Sequence, residues 1–377
     1  MTSIPVLSPV PALSPTTRVR RTPFSDRVEA CGVTAYTVYN HMLLATVFRS
    51  VEEDYRHLCE AVQIWDVSCE RQVEIKGPDA ARLTQLMTCR DLSKAKYGQC
   101  FYAPLVDEDG GMINDPIILK LAEDRFWLSI ADSDVMLWAK GLARGYNLDV
   151  KVFEPDVYPL AVQGPKAEEV MAKVFGDRVR DIRFFRFEKM AFDGHDMVVA
   201  RSGWSKQGGF EIYMDRQELA LQLWDQIWAA GQAFDIRAGC PNAIERVEGS
   251  LLSYGNDMTM GTSPFECGLE KYVNLEADID FVARDALQKE KDQGLQRKVC
   301  HLLFSENLNT GVFENWSVFD KAEQQIGKLT SGCDSIRHGA FLAIATIAKE
   351  YWQNNETVFV QTPFGSREAR IASFPME

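Results

Sequence analysis

A unit of strand, Gly-Pro-x-Ala corner and helix occurs twice in the chain, and this repeat restricts the fold more than any other feature. In the first copy the short strand Arg71–Lys76 leads through Gly77-Pro-Asp-Ala80 into a helix over 81–87. In the second, the apolar strand Tyr158–Gln163 leads through Gly164-Pro-Lys-Ala167 into a helix over 168–175. Proline suits the first turn of a helix, because its missing N–H has no helical partner there. The two units predict two related α/β subdomains in one body.

Two strands around a glycine-bearing turn are predicted at Val199–Asp215. Side chains alternate between the two faces of a strand, so Glu211 and Tyr213 share one face, roughly 7 Å apart. That face presents a carboxylate and a phenol beside a turn that carries Trp204 and Lys206. On local grounds a solvated hairpin face and a functional site both remain open.

A further hairpin lies between the two repeats. The segment Cys100–Val106 runs through an Asp-Gly-Gly turn into Met112–Lys120, which is a strong hairpin signal. The register across this turn places Tyr102 diagonally adjacent to Asp115 on one face. Pro116 cannot donate a ladder hydrogen bond, so the second strand is predicted to lie at an edge or to be irregular. A turn or cap role for Asp115 and a functional role both remain open.

Apolar periodicity predicts helices over Val51–Ile64 and Gln217–Ala233, and a polar helical connector over 276–294. Asn242 and Glu245 have the spacing of a capping box at the start of another helix. From residue 298 onward the pattern changes to short apolar segments separated by turn residues, which is typical of a small antiparallel barrel or sandwich. The segments are 298–304, 316–320, 325–330, 341–347, 357–361 and 368–374, and a domain boundary is predicted near residue 285.

Charge and composition exclude several classes of protein. The net charge of -13 argues against a nucleic-acid partner, because phosphate contacts need a basic surface. No apolar run approaches the ~20 residues needed to span a bilayer, so no membrane association is expected. The nine cysteines include no CxxC pair and the five histidines no HExxH spacing. This pattern predicts reduced thiols in a cytoplasmic protein without a metal site.

The first 23 residues are rich in Ser, Thr, Pro and Val, with three arginines and no acidic residue. A transit peptide is one interpretation. Prolines at positions 5, 9, 11 and 15 oppose the amphipathic helix that such a peptide needs, so a flexible tail over 1–23 is favoured.

Taken together, the segments resemble the folate-dependent aminomethyltransferase (glycine cleavage T-protein) superfamily over most of the chain. Each match is weak alone, and their order and spacing carry the resemblance. The matching segments are 65–68 (WDVS), 73–80 (VEIKGPDA), 109–115 (DGGMIND), 163–167 (QGPKA), 208–211 (GGFE), 254–258 (YGNDM), 264–269 (PFECGL), 280–286 (DFVARDA) and 327–332 (GKLTSG).

Departures from the glycine-cleavage pattern resemble the dimethylsulfoniopropionate demethylase branch of that superfamily. Where the glycine-cleavage enzymes carry a GYTGEDGFE-type segment, this chain has GWSKQGGFE at 203–211. Where they carry two adjacent acids after the Gly-Gly turn, it has Asn114-Asp115. Where they carry a GLGARD-type helix start, residues 238–248 read AGCPNAIERVE. The KGCYxGQ-type signature of the folate-binding iron–sulfur assembly factor is absent.

The resemblance implies a multi-domain α+β fold of mixed or antiparallel sheets with helices, plus a small C-terminal β-barrel. The implied domains are a flexible tail (1–23), a folate-binding α/β domain (24–70 with 155–275), a second related α/β domain (71–154) and the barrel domain (285–377). The implied activity is transfer of a methyl group from a sulfonium to tetrahydrofolate, which acts as co-substrate.

The resemblance also implies roles for individual residues. Glu211 matches the carboxylate that grips the pterin, and Asp115 matches the acid near the reacting folate nitrogens. Asp115 and Tyr213 are the catalytic candidates. The folate-binding candidates are Glu211, Trp204, Tyr213, Phe185, Tyr102 and Lys206, and the sulfonium-binding candidates are Tyr36, Tyr39 and Trp204.

Two alternatives remain open beside the sulfonium demethylase. One is an aminomethyltransferase or a methylamine-type demethylase of the same superfamily, and the other is a folate-binding protein without turnover. The expected partners are small molecules, with a homodimer as an open alternative.

Overall fold

The computed structural model describes residues 16–310, 315–353 and 355–376. Residues 1–15 of the predicted tail therefore lie outside the described residues. The remainder of that segment contacts the folded body. The backbone N–H of Arg20 donates to the carbonyl of His41 at 2.7 Å, and its guanidinium donates to Glu154 at 2.9 Å.

The helices and strands of the described chain are numbered in order. The α-helices are α1 (Ser25–Ala30), α2 (Val51–Glu60), α3 (Ala80–Met87), α4 (Val135–Gly145), α5 (Ala167–Phe175), α6 (Ala220–Gly231), α7 (Ala243–Glu248) and α8 (Arg284–Gln293). The strands are β1 (Ala35–Tyr39), β2 (Met42–Val47), β3 (Val62–Asp66), β4 (Gln72–Lys76), β5 (Cys100–Tyr102), β6 (Leu105–Val106), β7 (Met112–Asn114), β8 (Ile117–Ala122), β9 (Arg125–Ser129), β10 (Lys151–Phe153), β11 (Tyr158–Gln163), β12 (Phe187–Phe192), β13 (His195–Ala200), β14 (Gly209–Met214), β15 (Ile236–Ala238), β16 (Arg297–Phe304), β17 (Trp316–Phe319), β18 (Gln325–Ser335), β19 (Ala340–Ala348), β20 (Thr357–Thr362) and β21 (Gly365–Ala372).

The two Gly-Pro corners have the same geometry. Gly77 has φ +139° and Gly164 has φ +121°, values that L side chains rarely adopt. A Cβ on Gly77 would lie 2.6 Å from the carbonyl oxygen of Asp149, and one on Gly164 would lie 2.5 Å from that of Ala61. Each corner therefore requires glycine, because a neighbouring backbone passes directly against it.

Each corner follows an inner strand of one of two sheets. In the five-stranded sheet β10-β4-β9-β8-β5, β4 pairs with β9 and β10. In the six-stranded sheet β12-β13-β14-β11-β3-β15, β11 pairs with β14 and β3. These four pairings are antiparallel. The six-stranded sheet is nevertheless mixed, because its edge strand β15 pairs with β3 in parallel.

The two sheets pack face to face. The layer between them, called here the inter-sheet layer, consists of Cys100, Leu119, Trp127, Val157, Phe187, Val198, Ala200 and Tyr213. The outer face of the five-stranded sheet packs on α3 and α4, and that of the six-stranded sheet packs on α5 and α6. The sheets also meet at one edge, where Cys100 N–H donates to the Phe185 carbonyl at 3.1 Å.

The C-terminal strands form a closed antiparallel barrel in the order β16-β19-β18-β17-β20-β21. Its interior is a separate apolar core that includes Leu302, Val318, Leu329 and Ile371. The predicted α+β class, with mixed and antiparallel sheets, helices and a C-terminal barrel, is confirmed.

One predicted helix is wrong over its last four residues. The helix expected over Val51–Ile64 ends at Glu60, and Val62–Asp66 is strand β3. The reason is long-range pairing, since β3 lies between β11 and β15 in the six-stranded sheet. Local apolar periodicity does not report such partners.

Within the described residues, no helix is both long and apolar enough to cross a membrane. The same part of the chain contains no group of three or more His, Cys, Asp or Glu side chains placed to hold a metal ion. All nine cysteines are free thiols.

Candidate active site between the two sheets

The predicted glycine hairpin is formed by β13 and β14. Ala200 pairs with Glu211 and Val198 pairs with Tyr213, so both polar side chains point toward the five-stranded sheet. The turn between the strands is tied to α7, because the Glu245 carboxylate accepts from the backbone N–H of Lys206 at 2.6 Å. Asn242 caps α7 as expected, but Glu245 holds this turn and does not close the capping box.

Glu211 is buried with only 5% of its surface exposed. Its Oε2 accepts a short hydrogen bond from the Ser202 hydroxyl and a long one, 3.5 Å, from the Tyr213 hydroxyl. Burial raises the pKa of Glu211, and these two hydrogen bonds oppose the rise. Ser202 was not predicted from the sequence, although it continues the alternation of Val198 and Ala200 toward the inter-sheet layer.

Asp115 lies where the chain passes from β7 in a small hairpin to β8 in the five-stranded sheet. Pro116 interrupts the ladder at this point, as predicted, and leaves Asp115 between the two strands. The Tyr102 hydroxyl donates to Oδ2 of Asp115 at 3.0 Å. Burial raises the pKa of Asp115 to about 7, with a smaller contribution from the nearby Asp257 carboxylate.

A third carboxylate, Glu70, was not predicted. Burial raises its pKa well above the usual range, and the charges of Glu211 and Asp115 raise it further. The described residues include no Lys or Arg that forms an ion pair with any of these three acids. The sequence contained one signal, since Glu70, Gln72 and Glu74 recur at every second position, which is the spacing of one strand face.

Tyr39 reaches the same place from the tip of the β1–β2 hairpin. Burial raises its pKa well above the usual range, with further contributions from the charges of Glu70 and Asp115. The turn residue Asn40 has φ +48° and is buried, and its amide donates to the carbonyls of Cys69 at 2.9 Å and Ala131 at 3.0 Å. Asn40 thereby fixes Tyr39 against the two sheets.

Phe185 and Trp204 lie at the margins of this region. Phe185 has φ +57°, and its half-buried ring packs on the inter-sheet layer and on Phe184, 4.6 Å away between centroids. Positive φ at an aromatic residue is costly and is concentrated at functional sites. Trp204 is half-buried in the turn next to Ser205, whose hydroxyl donates to Gln163 at 2.8 Å.

Two predicted site residues lie elsewhere. Tyr36 packs against the core under the six-stranded sheet, where Glu29 and Arg21 are the charges that act on it. Lys206 is exposed, and its aliphatic chain lies close to Gly249 at the end of α7. The structure therefore groups Glu211, Tyr213, Asp115, Tyr102 and Tyr39 around Glu70, and it does not bring Tyr36 into that group.

The repeat shows which feature is particular to the second sheet. Glu211 pairs with Ala161 on β11, three residues before the corner glycine, and Trp127 pairs with Glu74 at the same position on β4. Trp127 packs against Tyr213 with ring centroids 6.0 Å apart. At this position the six-stranded sheet supplies a carboxylate, and the five-stranded sheet supplies an aromatic ring.

This arrangement is suited to two kinds of ligand group. In its ionised form a buried carboxylate such as that of Glu211 can accept a pair of parallel N–H donors from a planar heterocycle. Phenol rings beside acids without a protein cation can receive a positively charged ligand.

Comparison with known proteins gives matches for both parts of the chain. Residues 24–277 match the GCVT N-terminal domain, and residues 297–376 match the glycine cleavage T-protein C-terminal barrel domain. The chain is 49% identical over 360 residues to dimethylsulfoniopropionate demethylase DmdA of Ruegeria pomeroyi, which covers 96% of this chain and 98% of that protein. It is 31% identical over 316 residues to an aminomethyltransferase of Clostridium botulinum, covering 82% of this chain and 84% of that protein.

The fold is also that of a solved structure. The glycine cleavage system aminomethyltransferase T from Bartonella henselae superposes with a TM-score of 0.84 at 22% identity, covering 95% of this chain and 98% of the other. With both domains matched and nearly the whole chain aligned to relatives, this protein belongs to the glycine cleavage T-protein family.

Proposed function

We propose that this protein is a tetrahydrofolate-dependent demethylase of dimethylsulfoniopropionate. The sulfur–methyl bond breaks, the methyl group bonds to N5 of tetrahydrofolate, and the products are methylmercaptopropionate, 5-methyltetrahydrofolate and a proton. The observation that carries the proposal is Glu211, buried between the two sheets with Ser202 and Tyr213 as donors and with acceptor capacity to spare. The demethylase relative at 49% identity supports the choice of methyl donor.

The residues around Glu211 fit a pterin. The carboxylate can accept from the ring N–H and the exocyclic amine, and ionised acceptors make the stronger hydrogen bonds. Tyr213 and Phe185 offer aromatic faces from the inter-sheet layer, and Trp204 and Tyr102 offer further ones beside it. Lys206, exposed at the turn, is placed in this proposal near the carboxylates of the glutamate tail. Tetrahydrofolate itself supplies the N5 lone pair that accepts the methyl group.

The residues around Glu70 and Asp115 fit a cation. Acidic groups without a protein cation attract a sulfonium, and the aromatic faces of Tyr39 and Trp204 contact it in this proposal, each worth ~0.5–2 kcal/mol. Positive charge leaves sulfur during the transfer, so tight pairing of sulfur with one carboxylate would stabilise the ground state. Contact with aromatic faces in place of one paired carboxylate avoids that penalty.

Near neutral pH the protonated and ionised forms of the Asp115 carboxyl group are present in comparable amounts, because burial raises its pKa to about 7. We assign it two tasks: it orients the folate ring edge, and in its ionised form it takes up the proton released as the methyl group is transferred. Tyr102 fixes the carboxyl group for both tasks through the 3.0 Å hydrogen bond. Tyr213 acts on the other side through Glu211.

Aminomethyl or methylamine transfer is the second candidate, and it is supported by the 31% identity to an aminomethyltransferase. The segment 203–211 lacks the glycine-cleavage pattern, which weighs against it. Turnover of a methylated amine in preference to the sulfonium would favour this candidate. Tight folate binding without any methyl transfer would favour a binding protein without turnover.

The test is incubation of the purified protein with tetrahydrofolate and dimethylsulfoniopropionate, with methylmercaptopropionate measured by chromatography. Product that depends on both substrates is expected, and its absence from folate-loaded protein would overturn the proposal. Ser335→Ala is a suitable control variant, since Ser335 bonds the distant Glu248. It should retain turnover.

We also propose a cytoplasmic location and a homodimer. The free thiols support a reducing compartment. Fractionation of the source cells tests the location, and light scattering coupled to size exclusion tests the assembly.

A further inference from the structure

Because the two sheets are built from a repeat, positions on one sheet have counterparts on the other. In each sheet the residue before the corner glycine pairs with the first residue of the neighbouring strand: Lys76 with Arg125, and Gln163 with Gly209. Counted from these pairs, β4 and β9 correspond to β11 and β14. The next strands of the first sheet, β8 and β5, then correspond to β13 and β12.

The acid and the phenol of the active site have counterparts in this register. Tyr102 on β5 and Lys189 on β12 occupy corresponding places, since each pairs with the inward-facing residue at the same position of the adjacent strand. Those partners are Ile117 and Val198. Asp115 and Asp196 each precede that partner by two residues. The Tyr102–Asp115 pair of the active site therefore corresponds to Lys189 and Asp196.

A cavity of about 420 Å³, called here the second cavity, lies at this counterpart position. Its lining includes Arg125 and Trp127 from the five-stranded sheet, and Lys189 and Asp196 from the six-stranded sheet. Asp215, which directly follows β14, lines it as well. Small-molecule sites in proteins have volumes of roughly 300–1,000 Å³, so the second cavity has the size of a ligand site.

The second cavity and the active site lie at opposite ends of the inter-sheet layer. Glu211, Tyr213 and Asp215 follow one another on a single face of the chain, and of these three Asp215 lines the second cavity. Trp127 lies between the two sites, because it lines the second cavity and packs on Tyr213 with ring centroids 6.0 Å apart. The second cavity is therefore separate from the active site.

Two charged pairs at the second cavity are satisfied within the protein. The Arg125 guanidinium donates to both carboxylate oxygens of Glu74, at 2.7 and 3.0 Å. The His195 Nε2 lies 2.7 Å from a carboxylate oxygen of Asp215. These four side chains shape the second cavity, and their charges are already matched.

One cation and one anion remain for a ligand. Lys189 and Asp196 are exposed, and among the described residues neither side chain has an ion-pair or hydrogen-bond partner. Lys189 lies opposite Val198 and Asp196 opposite Ala191, so the two are diagonal neighbours on one face of the hairpin. Diagonal neighbours are about 7–8 Å apart, which leaves room for a ligand to contact both.

We propose that the second cavity binds a small zwitterion that carries a carboxylate and an onium cation. The ligand carboxylate pairs with the Lys189 ammonium. The onium group lies against the Asp196 carboxylate and the half-exposed ring of Tyr97, which also lines the second cavity. Trp127 stands where the active site has Glu211, so the second cavity has no carboxylate at that place to hold a pterin. It binds the zwitterion without demethylating it.

The proposed methyl donor, dimethylsulfoniopropionate, is a zwitterion of this class and serves as the probe. In that choice alone the inference rests on the proposed function. The titration is made without tetrahydrofolate, so no methyl acceptor is present and the probe stays intact.

The test follows the indole N–H signals of protein labelled with nitrogen-15 tryptophan during this titration. Trp127 reports on the second cavity, because its N–H donates at 2.8 Å to Glu74, the carboxylate that Arg125 also holds. Trp204 reports on the active site, which it borders. Each signal is assigned by its loss in Trp127→Phe or Trp204→Phe. A saturable shift of the Trp127 signal is expected, and its absence would overturn the inference.

Substitutions in the second cavity separate binding there from an indirect effect of the active site. Lys189→Met should raise the midpoint of the Trp127 shift about fivefold, as for loss of one exposed ion pair, and leave the Trp204 midpoint within twofold. Asp196→Asn should act in the same way. Lys140→Met, an exposed lysine on α4 with the same change of charge, is the matched control and should change neither midpoint. A Trp127 midpoint unchanged in both Lys189→Met and Asp196→Asn would overturn the inference.

Failure of this inference is distinguishable from failure of the proposed function. Product formation with tetrahydrofolate tests the demethylase, and Lys189→Met should form product at the same rate at saturating substrate. A Trp127 response in a protein without turnover would support the second cavity and overturn the demethylase alone. Turnover without a Trp127 response would overturn the second cavity alone.

Discussion

The buried glutamates Glu211 and Glu248 accept hydrogen bonds from the same types of side chain but have different surroundings. Each is 5% exposed, and each accepts from one serine and one tyrosine. Glu248, at the end of α7, accepts in addition from the backbone N–H of Arg337 at 2.9 Å, and the Arg337 guanidinium lies 3.7 Å away. Glu211 has neither a backbone donor nor an arginine among its described partners.

The different surroundings shift the pKa values of the two glutamates in opposite directions. Burial raises both values, but for Glu248 the bonds from Ser335 and Tyr55 and the N–H and charge of Arg337 outweigh burial, and its pKa is lowered. For Glu211 burial dominates and the pKa is raised. Glu248 is satisfied within the protein and joins the main body to the barrel. The Glu211 carboxylate can still accept hydrogen bonds from a bound ligand.

The largest effect is expected from Glu211→Gln. One acceptor becomes a donor facing a ligand N–H, so the affinity for tetrahydrofolate should fall roughly 100-fold, as for loss of charged hydrogen bonds. Titration calorimetry measures it. Glu248→Gln is the matched substitution and should leave affinity within twofold. Equal affinities for Glu211→Gln and the unaltered protein would refute the pterin role.

For the stability of the free protein, the larger loss is expected in Glu248→Gln. Glu248→Gln weakens a joint whose partners are all within the protein, and the free energy of unfolding should fall by about 2 kcal/mol. Glu211→Gln removes a carboxylate whose charge is disfavoured by burial, so stability should stay the same or rise. Denaturant titration of the free protein compares them, and a larger loss for Glu211→Gln would contradict the comparison.

The two regions should also have opposite pH dependences. The pKa of Asp115, near Glu211, is raised to about 7, so the stability linked to its protonation is present below about pH 4 and lost as pH rises to about 7. The lowered pKa of Glu248 gives stability that is present above about pH 4.5 and lost as pH falls further. Asp115→Asn, which stays uncharged, should exceed the unaltered protein by about 2 kcal/mol at pH 8 and match it near pH 4. Denaturant titration across this range checks both directions.

The smallest effect is expected at Lys206. Its ammonium is exposed, so its attraction for the glutamate tail is screened by solvent and salt. Lys206→Met, which keeps the aliphatic contact with Gly249, should weaken tetrahydrofolate binding by roughly threefold at low salt and not at all at high salt. Calorimetry at two ionic strengths tests this, and an effect independent of salt would argue for a contact other than charge.

Sequence patterns predicted those parts of the site that depend on one strand or one corner. The Gly-Pro repeat predicted two corners with the same backbone geometry, and alternation along β14 placed Glu211 and Tyr213 on one face. The barrel strands were found from their spacing. These features are local, because the residues that cause them lie within a short stretch of sequence.

Features that depend on the packing of the two sheets were not predicted. Glu70 comes close to Glu211 only because the two inner faces pack together, and no window of sequence includes both faces. The error at β3 has the same origin, since its strand conformation comes from partners far along the chain. The family resemblance supplied Glu211 and Asp115 but neither Ser202, which donates to Glu211, nor Glu70 beside them.

The position of β3 has a consequence for synthesis on the ribosome. Trp65 pairs with Ala161, which is 96 positions later, and the intervening chain builds the other sheet. At about 5–20 residues per second, β3 waits roughly 5–20 s for its first partner. During that interval the apolar side chains of Val62, Ile64 and Trp65 have no sheet to join. The first sheet can close while the second, which carries Glu211, is still incomplete, so the order of synthesis makes the five-stranded sheet the template on which the active site is assembled.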